Sequence, residues 1–155
     1  MLYFKVPLWL SLCFINFVNA SININVFNMF KLFKFIKKFV YHKNSDMNWE
    51  NLNSIDQLLD IDEKSKSKTQ IIFKHSTRCS VSTFAKKILE REYNDAVQEQ
   101  ADVYYLDLIS FREVSNEIAN RYAVLHQSPQ MLVVKDGVCV FNSSHSNVSF
   151  EKALA

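Results

Sequence analysis

The 155-residue chain is poor in the residues that break or staple a fold, with one glycine, two prolines and three cysteines. The cysteines stand at positions 13, 79 and 139, an odd and widely spaced set without a C-x-x-C pair. Such a set makes a poor disulfide framework and offers neither a dithiol nor a zinc ligand pair. No two histidines have metal-site spacing, so no metal is expected. An excess of one charge is also lacking: 18 basic residues against 16 acidic ones leave +2, which gives no electrostatic case for nucleic acid as partner. Three isolated thiols fit a reducing compartment and favour the cytoplasm.

Apolar residues, by contrast, make up 48% of the chain and charged ones 22%, enough for the core of one ordinary domain. The abundance of Asn, Lys, Ile and Phe reads as the output of an AT-rich genome. Residues 1–48 form an N-terminal extension and 49–155 the domain proper. In the extension, Lys5, the apolar run Val6 to Phe14 and Val18-Asn19-Ala20 read literally as a secretory signal peptide. The competing reading is that translation begins at Met29 or Met47. Residues 29–43, where Lys31, Lys34, Lys37 and Lys38 alternate with Phe, Leu and Ile, resemble a basic amphipathic helix. Membrane contact is expected only through this extension.

From residue 49 the pattern alternates. Ser54-x-x-Gln57 has capping-box spacing and predicts a helix near 54–62. Gln70 to Lys74 reads as a buried strand. A helical period starts at Cys79 and runs through Val81, Phe84/Ala85, Ile88/Leu89 and Ala96. Val103 to Leu108 is a second strand. Ser110-x-x-Glu113 opens the next helix, with Val114, Ile118 and Tyr122 on one face. Met131–Val134 and Val138–Phe141 are strands joined by the hairpin signal Asp136-Gly137, and residues 147–154 make a short last helix. The order describes an α/β sandwich: a mixed four-stranded sheet flanked by helices, with a terminal β-hairpin.

The chemistry gathers in the turn His75-Ser76-Thr77-Arg78-Cys79-Ser80-Val81-Ser82. It places Cys79 at a helix N-terminus, where unpaired N–H groups and the macrodipole favour an anion, and Arg78 adds a cation. Taking a thiol from ~8.5 to about 6 improves its attack at pH 7 only ~2-fold, because nucleophilicity falls as the thiolate fraction rises. The larger gain is as a leaving group. Three residues after Cys79, where a dithiol oxidoreductase carries its resolving cysteine, stands Ser82, so a disulfide on Cys79 must be resolved by another thiol. Cys139 is a poor internal candidate: pairing about Asp136-Gly137 sets it opposite residue 134, about five residues or ~16 Å along the sheet from Pro129. It reads as core. The same pairing brings Ser144 and His145 level with Pro129, so His145 is a candidate for lining the site. His75 is a candidate for tuning the thiol, and His126 stands either near the site or as an exposed loop histidine.

These residues resemble the YtxJ-like monothiol bacilliredoxins of the thioredoxin-like superfamily. The resemblance runs from the strand into HST-x-CS-x-S (His75 to Ser82) through Tyr105-Leu106-Asp107-Leu108, Ser115-Asn116-Glu117-Ile118-Ala119, His126-x-Ser128-Pro129-Gln130 and Ser144-His145-Ser146, over residues ~49–150. It implies a thioredoxin-like fold with Pro129 in the cis form facing Cys79, and a substrate groove of Thr77, Ser128, Pro129 and His145 in which the Ser128 backbone pairs with an extended segment. Arg78, His75 and Ser82 would tune the thiol. The implied activity is removal of bacillithiol from protein mixed disulfides, with bacillithiol as co-substrate, bacillithiolated proteins as partners and no bound cofactor. The alternative is a non-catalytic peptide-binding module whose Cys79 is an inert helix-cap thiol. A peroxidase reading of Ser76-x-x-Cys79 lacks its upstream proline, and a phosphatase C-x5-R loop fails at Ala85.

Overall fold

A computed structural model describes residues 47–155; the expectations for the signal-like segment, the start codon and the amphipathic stretch lie outside the described residues. The chain order is β1 (Glu50–Asn51), α1 (Asp56–Lys64), β2 (Thr69–His75), α2 (Ser80–Glu92), α3 (Asp95–Gln100), β3 (Ala101–Asp107), α4 (Arg112–Arg121), β4 (Gln130–Lys135), β5 (Val138–Ser144), a 3-10 turn (His145–Asn147) and α5 (Phe150–Ala153). The strands form one mixed sheet in the order β1-β3-β2-β4-β5. β1 and β2 run parallel to β3, while β4 runs antiparallel to β2 and to β5. The α/β sandwich is therefore present, with a two-residue edge strand added to the four expected.

β2 lies in the middle, and its run Ile71-Ile72-Phe73 is fully buried because both faces of the sheet are covered. Ile71 and Phe73 point into one core with Ala85, Leu89, Tyr93 and Phe150, beneath α2 and α5. Ile72 points into the other with Leu58, Ile61, Val114, Ile118 and Tyr122, beneath α1 and α4. Period-2 alternation thus assigns each residue of β2 to one layer. Gln57 does reach back as expected, accepting from the N–H groups of Asn53 and Ser54 at 2.7 and 3.0 Å.

Four local expectations need correction. The helical run from Cys79 to Ala96 breaks at Tyr93, because the Asn94 Oδ1 accepts from Ala96 and Val97 and starts a separate helix. α2 buries Ser82, Ala85 and Leu89, leaving Val81 and Phe84 exposed. Ser110 does not cap α4: its hydroxyl and the Ile109 N–H go to the Asp107 carboxylate. A register shift between Val133 and Val134 sets Ser144 opposite Gln130, although Val134 still pairs with Cys139. The extra residue is Val140, a bulge that the hairpin signal could not announce. The turn itself has Asp136 and Gly137 both at positive φ, as a type I′ connection requires.

Candidate active site

β2 delivers His75 to the carboxyl end of the parallel strands, where α/β sheets leave a crevice, and the turn 76–79 carries the chain into α2. Cys79 is the N-cap of α2, with extended backbone at φ −113° and ψ 120°. Its carbonyl accepts the Thr83 N–H at 3.1 Å and its own N–H reaches the Ser76 carbonyl at 3.2 Å. Cys79 is half-buried and Thr77 and Arg78 are exposed, so the thiol lies at the rim of the turn.

Ser82 is fully buried and organises the turn from below. Its Oγ accepts the Ser76 N–H at 2.9 Å and lies 2.8 Å from His75 Nδ1. This contact ties the orientation of the imidazole ring to the serine hydroxyl. Burial, with Lys86 nearby, pushes the His75 pKa down, so the ring is neutral at physiological pH. It is packed against Phe73 and Tyr105 at centroid distances of 5.9 and 5.4 Å. The Leu108 N–H bonds the His75 carbonyl at 3.0 Å. Burial opposes ionisation of Asp107, yet hydrogen bonds from Ser110 and the turn backbone hold its carboxyl below the ordinary range.

Pro129 faces this turn across the sheet. Lys74 pairs with Gln130, so antiparallel register sets Pro129 level with His75. The Ser128–Pro129 bond is cis, as the resemblance implied. The Pro129 carbonyl accepts the His145 N–H at 3.0 Å. Ser128 Oγ is buried without a hydrogen-bond partner, and among the described residues its backbone joins none of the loop's hydrogen bonds. The 3-10 turn that begins at His145 packs against α2, so His145 belongs to the rim, with its side chain exposed. Cys139 lies on β5, half-buried, with its Sγ donating to the Phe141 carbonyl at 3.2 Å. The structure therefore gathers Cys79, Ser82, His75, Thr77 and Arg78 at one turn, sets Ser128, Pro129 and His145 beside it, and leaves Cys139 at the hairpin.

One group escaped the sequence reading. Lys74 adjoins His75 on β2 and, by alternation, points to the opposite face, where it is fully buried. Its Nζ lies 3.0 Å from His126 Nδ1 and donates to the Ser115 carbonyl at 3.2 Å. Burial, with Arg112 nearby, brings its pKa down to about 8. Among the described residues, no group of three His, Cys, Asp or Glu side chains could hold a metal ion.

This fold, with a cysteine capping the helix after the central strand and a cis-proline opposite, defines the thioredoxin-like class. The chain resembles a solved protein with a thioredoxin fold, provisionally assigned as an oxidoreductase, at 30% identity and a TM-score of 0.57 over 67% of this chain and 88% of that one. Thioredoxins of Malassezia sympodialis and Fasciola hepatica share the fold at 15% and 17% identity, with TM-scores of 0.57 and 0.52, over 69% and 68% of this chain and 87% and 94% of theirs. Residues 50–153 match the family model of the monothiol bacilliredoxin BrxC. The chain belongs to that monothiol bacilliredoxin family.

Proposed function

We propose that the protein is a thiol-disulfide oxidoreductase that removes bacillithiol from protein mixed disulfides through Cys79 alone. The observation that carries this is the cysteine cap of α2 with a buried hydroxyl, Ser82, one helical turn on. The unpaired N–H groups of the first turn of α2 stabilise negative charge on the sulfur. The Cys79 thiolate attacks the bacillithiol sulfur of the mixed disulfide; that S–S bond breaks and the client leaves as a thiolate, which takes a proton from solvent. A second bacillithiol thiolate then attacks the adduct, releasing bacillithiol disulfide and restoring Cys79. Over the cycle the client sulfur is reduced to a thiol, the second bacillithiol sulfur is oxidised into bacillithiol disulfide, the first stays in a disulfide throughout, and no bound cofactor enters the balance. Ser128 supports the client's extended backbone, with Thr77, Pro129 and His145 lining the groove and Arg78 and His75 tuning the turn. The reaction needs a reducing compartment, which favours the cytoplasm; no helix among the described residues is long and apolar enough to cross a membrane.

The test is turnover of a bacillithiolated test protein by the full chain with bacillithiol as reductant. Release of bacillithiol disulfide that stops in Cys79→Ser supports the reading. Intact Cys79 without turnover, together with tight binding of extended peptides, would instead make the domain a peptide-binding module.

A further inference from the structure

The cis-proline loop is held from the side opposite Cys79. Lys74 Nζ bridges the Ser115 carbonyl on α4, 3.2 Å away, and His126 Nδ1 on the loop, 3.0 Å away, where the Ser115 hydroxyl approaches the same nitrogen at 3.3 Å. An ammonium only donates, so Nδ1 accepts and the His126 proton sits on Nε2. Within the loop, the buried Gln130 side chain donates to the Leu125 carbonyl at 2.9 Å and accepts the Gln127 N–H at 3.2 Å. On the far side the His145 N–H holds the Pro129 carbonyl.

We infer that Lys74 is a positioning residue that fixes the Ser128–Pro129 segment through His126, so that the loop can receive the extended backbone of a protein substrate. This rests on the reading of Cys79 as the transfer thiol. The energetics argue for a functional purpose. Among the described residues no carboxylate pairs with Lys74, and a buried charge held only by neutral groups costs stability that an apolar side chain would not. The depressed pKa reports that same cost. A residue kept against folding stability, one position from His75 and in register with Gln130 beside the proline, fits a role at the site.

Lys74→Met, His126→Ala and the double variant of the full chain would be compared on a bacillithiolated test protein and on bis(2-hydroxyethyl) disulfide. Each single variant is expected to raise KM for the protein substrate about tenfold, the size of one lost charge-assisted hydrogen bond. Turnover of the small disulfide, which needs no backbone pairing, stays within about twofold by the same reasoning, and the double variant is no worse than either single one. An unchanged protein KM, or two effects that multiply, would overturn the inference. Should Lys74→Met fail to fold, His126→Ala alone decides, because it alters the exposed end of the pair. Should the wild-type chain transfer no thiol at all, the reading of Cys79 fails but the clamp is still tested by hydrogen exchange: faster exchange of the Gln127 amide in the variants upholds it, and unchanged exchange refutes it.

Discussion

Cys79 and Cys139 are both half-buried thiols, yet their surroundings differ in kind. Cys79 caps a helix, beside exposed Thr77 and Arg78 and above a hydroxyl network that shapes its turn. Cys139 sits in a strand against the α1/α4 core, with its sulfur committed to the Phe141 carbonyl. Burial pushes the Cys139 thiol up, against two backbone hydrogen bonds that lower it. The two thiols therefore differ in surroundings rather than in exposure, and under the proposed function those surroundings decide which one exchanges disulfides.

Four experiments would break or sharpen that contrast. The largest effect is expected from Cys79→Ser, which should lower thiol transfer by roughly 10²-fold or more, to background, whereas Cys139→Ser keeps activity within about twofold; steady-state turnover of a bacillithiolated protein measures both. Next, Ser82→Cys supplies a second sulfur one helical turn from Cys79, where side chains are about 5–6 Å apart and a disulfide can close. The oxidised variant should then lose two titratable thiols, while Ser82→Ala, which orphans the Ser76 N–H and His75 Nδ1, should lose about 1–3 kcal/mol in denaturant unfolding.

The third is a pH scan of stability. His75 and His126 are both held down, His75 by burial and Lys86, His126 by burial, Lys74 and Arg112. The unfolded chain therefore binds more protons below the ordinary histidine value of about 6.5, and stability falls as pH drops through that point. Lys74, at about 8 in the fold against 10.5 ordinarily, works the same way at higher pH. Between those values only the unfolded chain carries the proton, so stability gains as pH rises, and Lys74→Met should abolish that alkaline gain. The smallest effect is Gly137→Ala. At φ +72° a Cβ is strained although its nearest neighbour, Asp62 Cβ, is a comfortable 4.0 Å away. The cost should be about 1 kcal/mol, raising Cys139 alkylation about fivefold through easier opening of the hairpin and leaving Cys79 unaffected.

Much of this was legible in the sequence because periodicity carried it. The buried strand Ile71–Phe73, the stripe Val114-Ile118-Tyr122 and the Asp136-Gly137 turn all lie where local pattern put them. So does Cys79 at a helix start, since the turn residues and the strand before it leave little choice. What escaped depends on partners far along the chain. Lys74 looked like the polar end of a strand, and its ligands lie 41 and 52 residues away. Ser82 stands out in the sequence for occupying the position of a resolving cysteine, but its burial makes sense only with His75 and Ser76 beside it. The bulge at Val140 and the role of Asp107 in place of Ser110 likewise reflect tertiary fit.

The most direct measurement is peptide mapping by mass spectrometry after the reduced full-length protein meets one equivalent of bacillithiol disulfide. A single bacillithiol adduct is expected, on the peptide containing Cys79, and added bacillithiol removes it. An adduct confined to Cys13 or Cys139, or an internal Cys79–Cys139 disulfide in its place, would contradict this expectation.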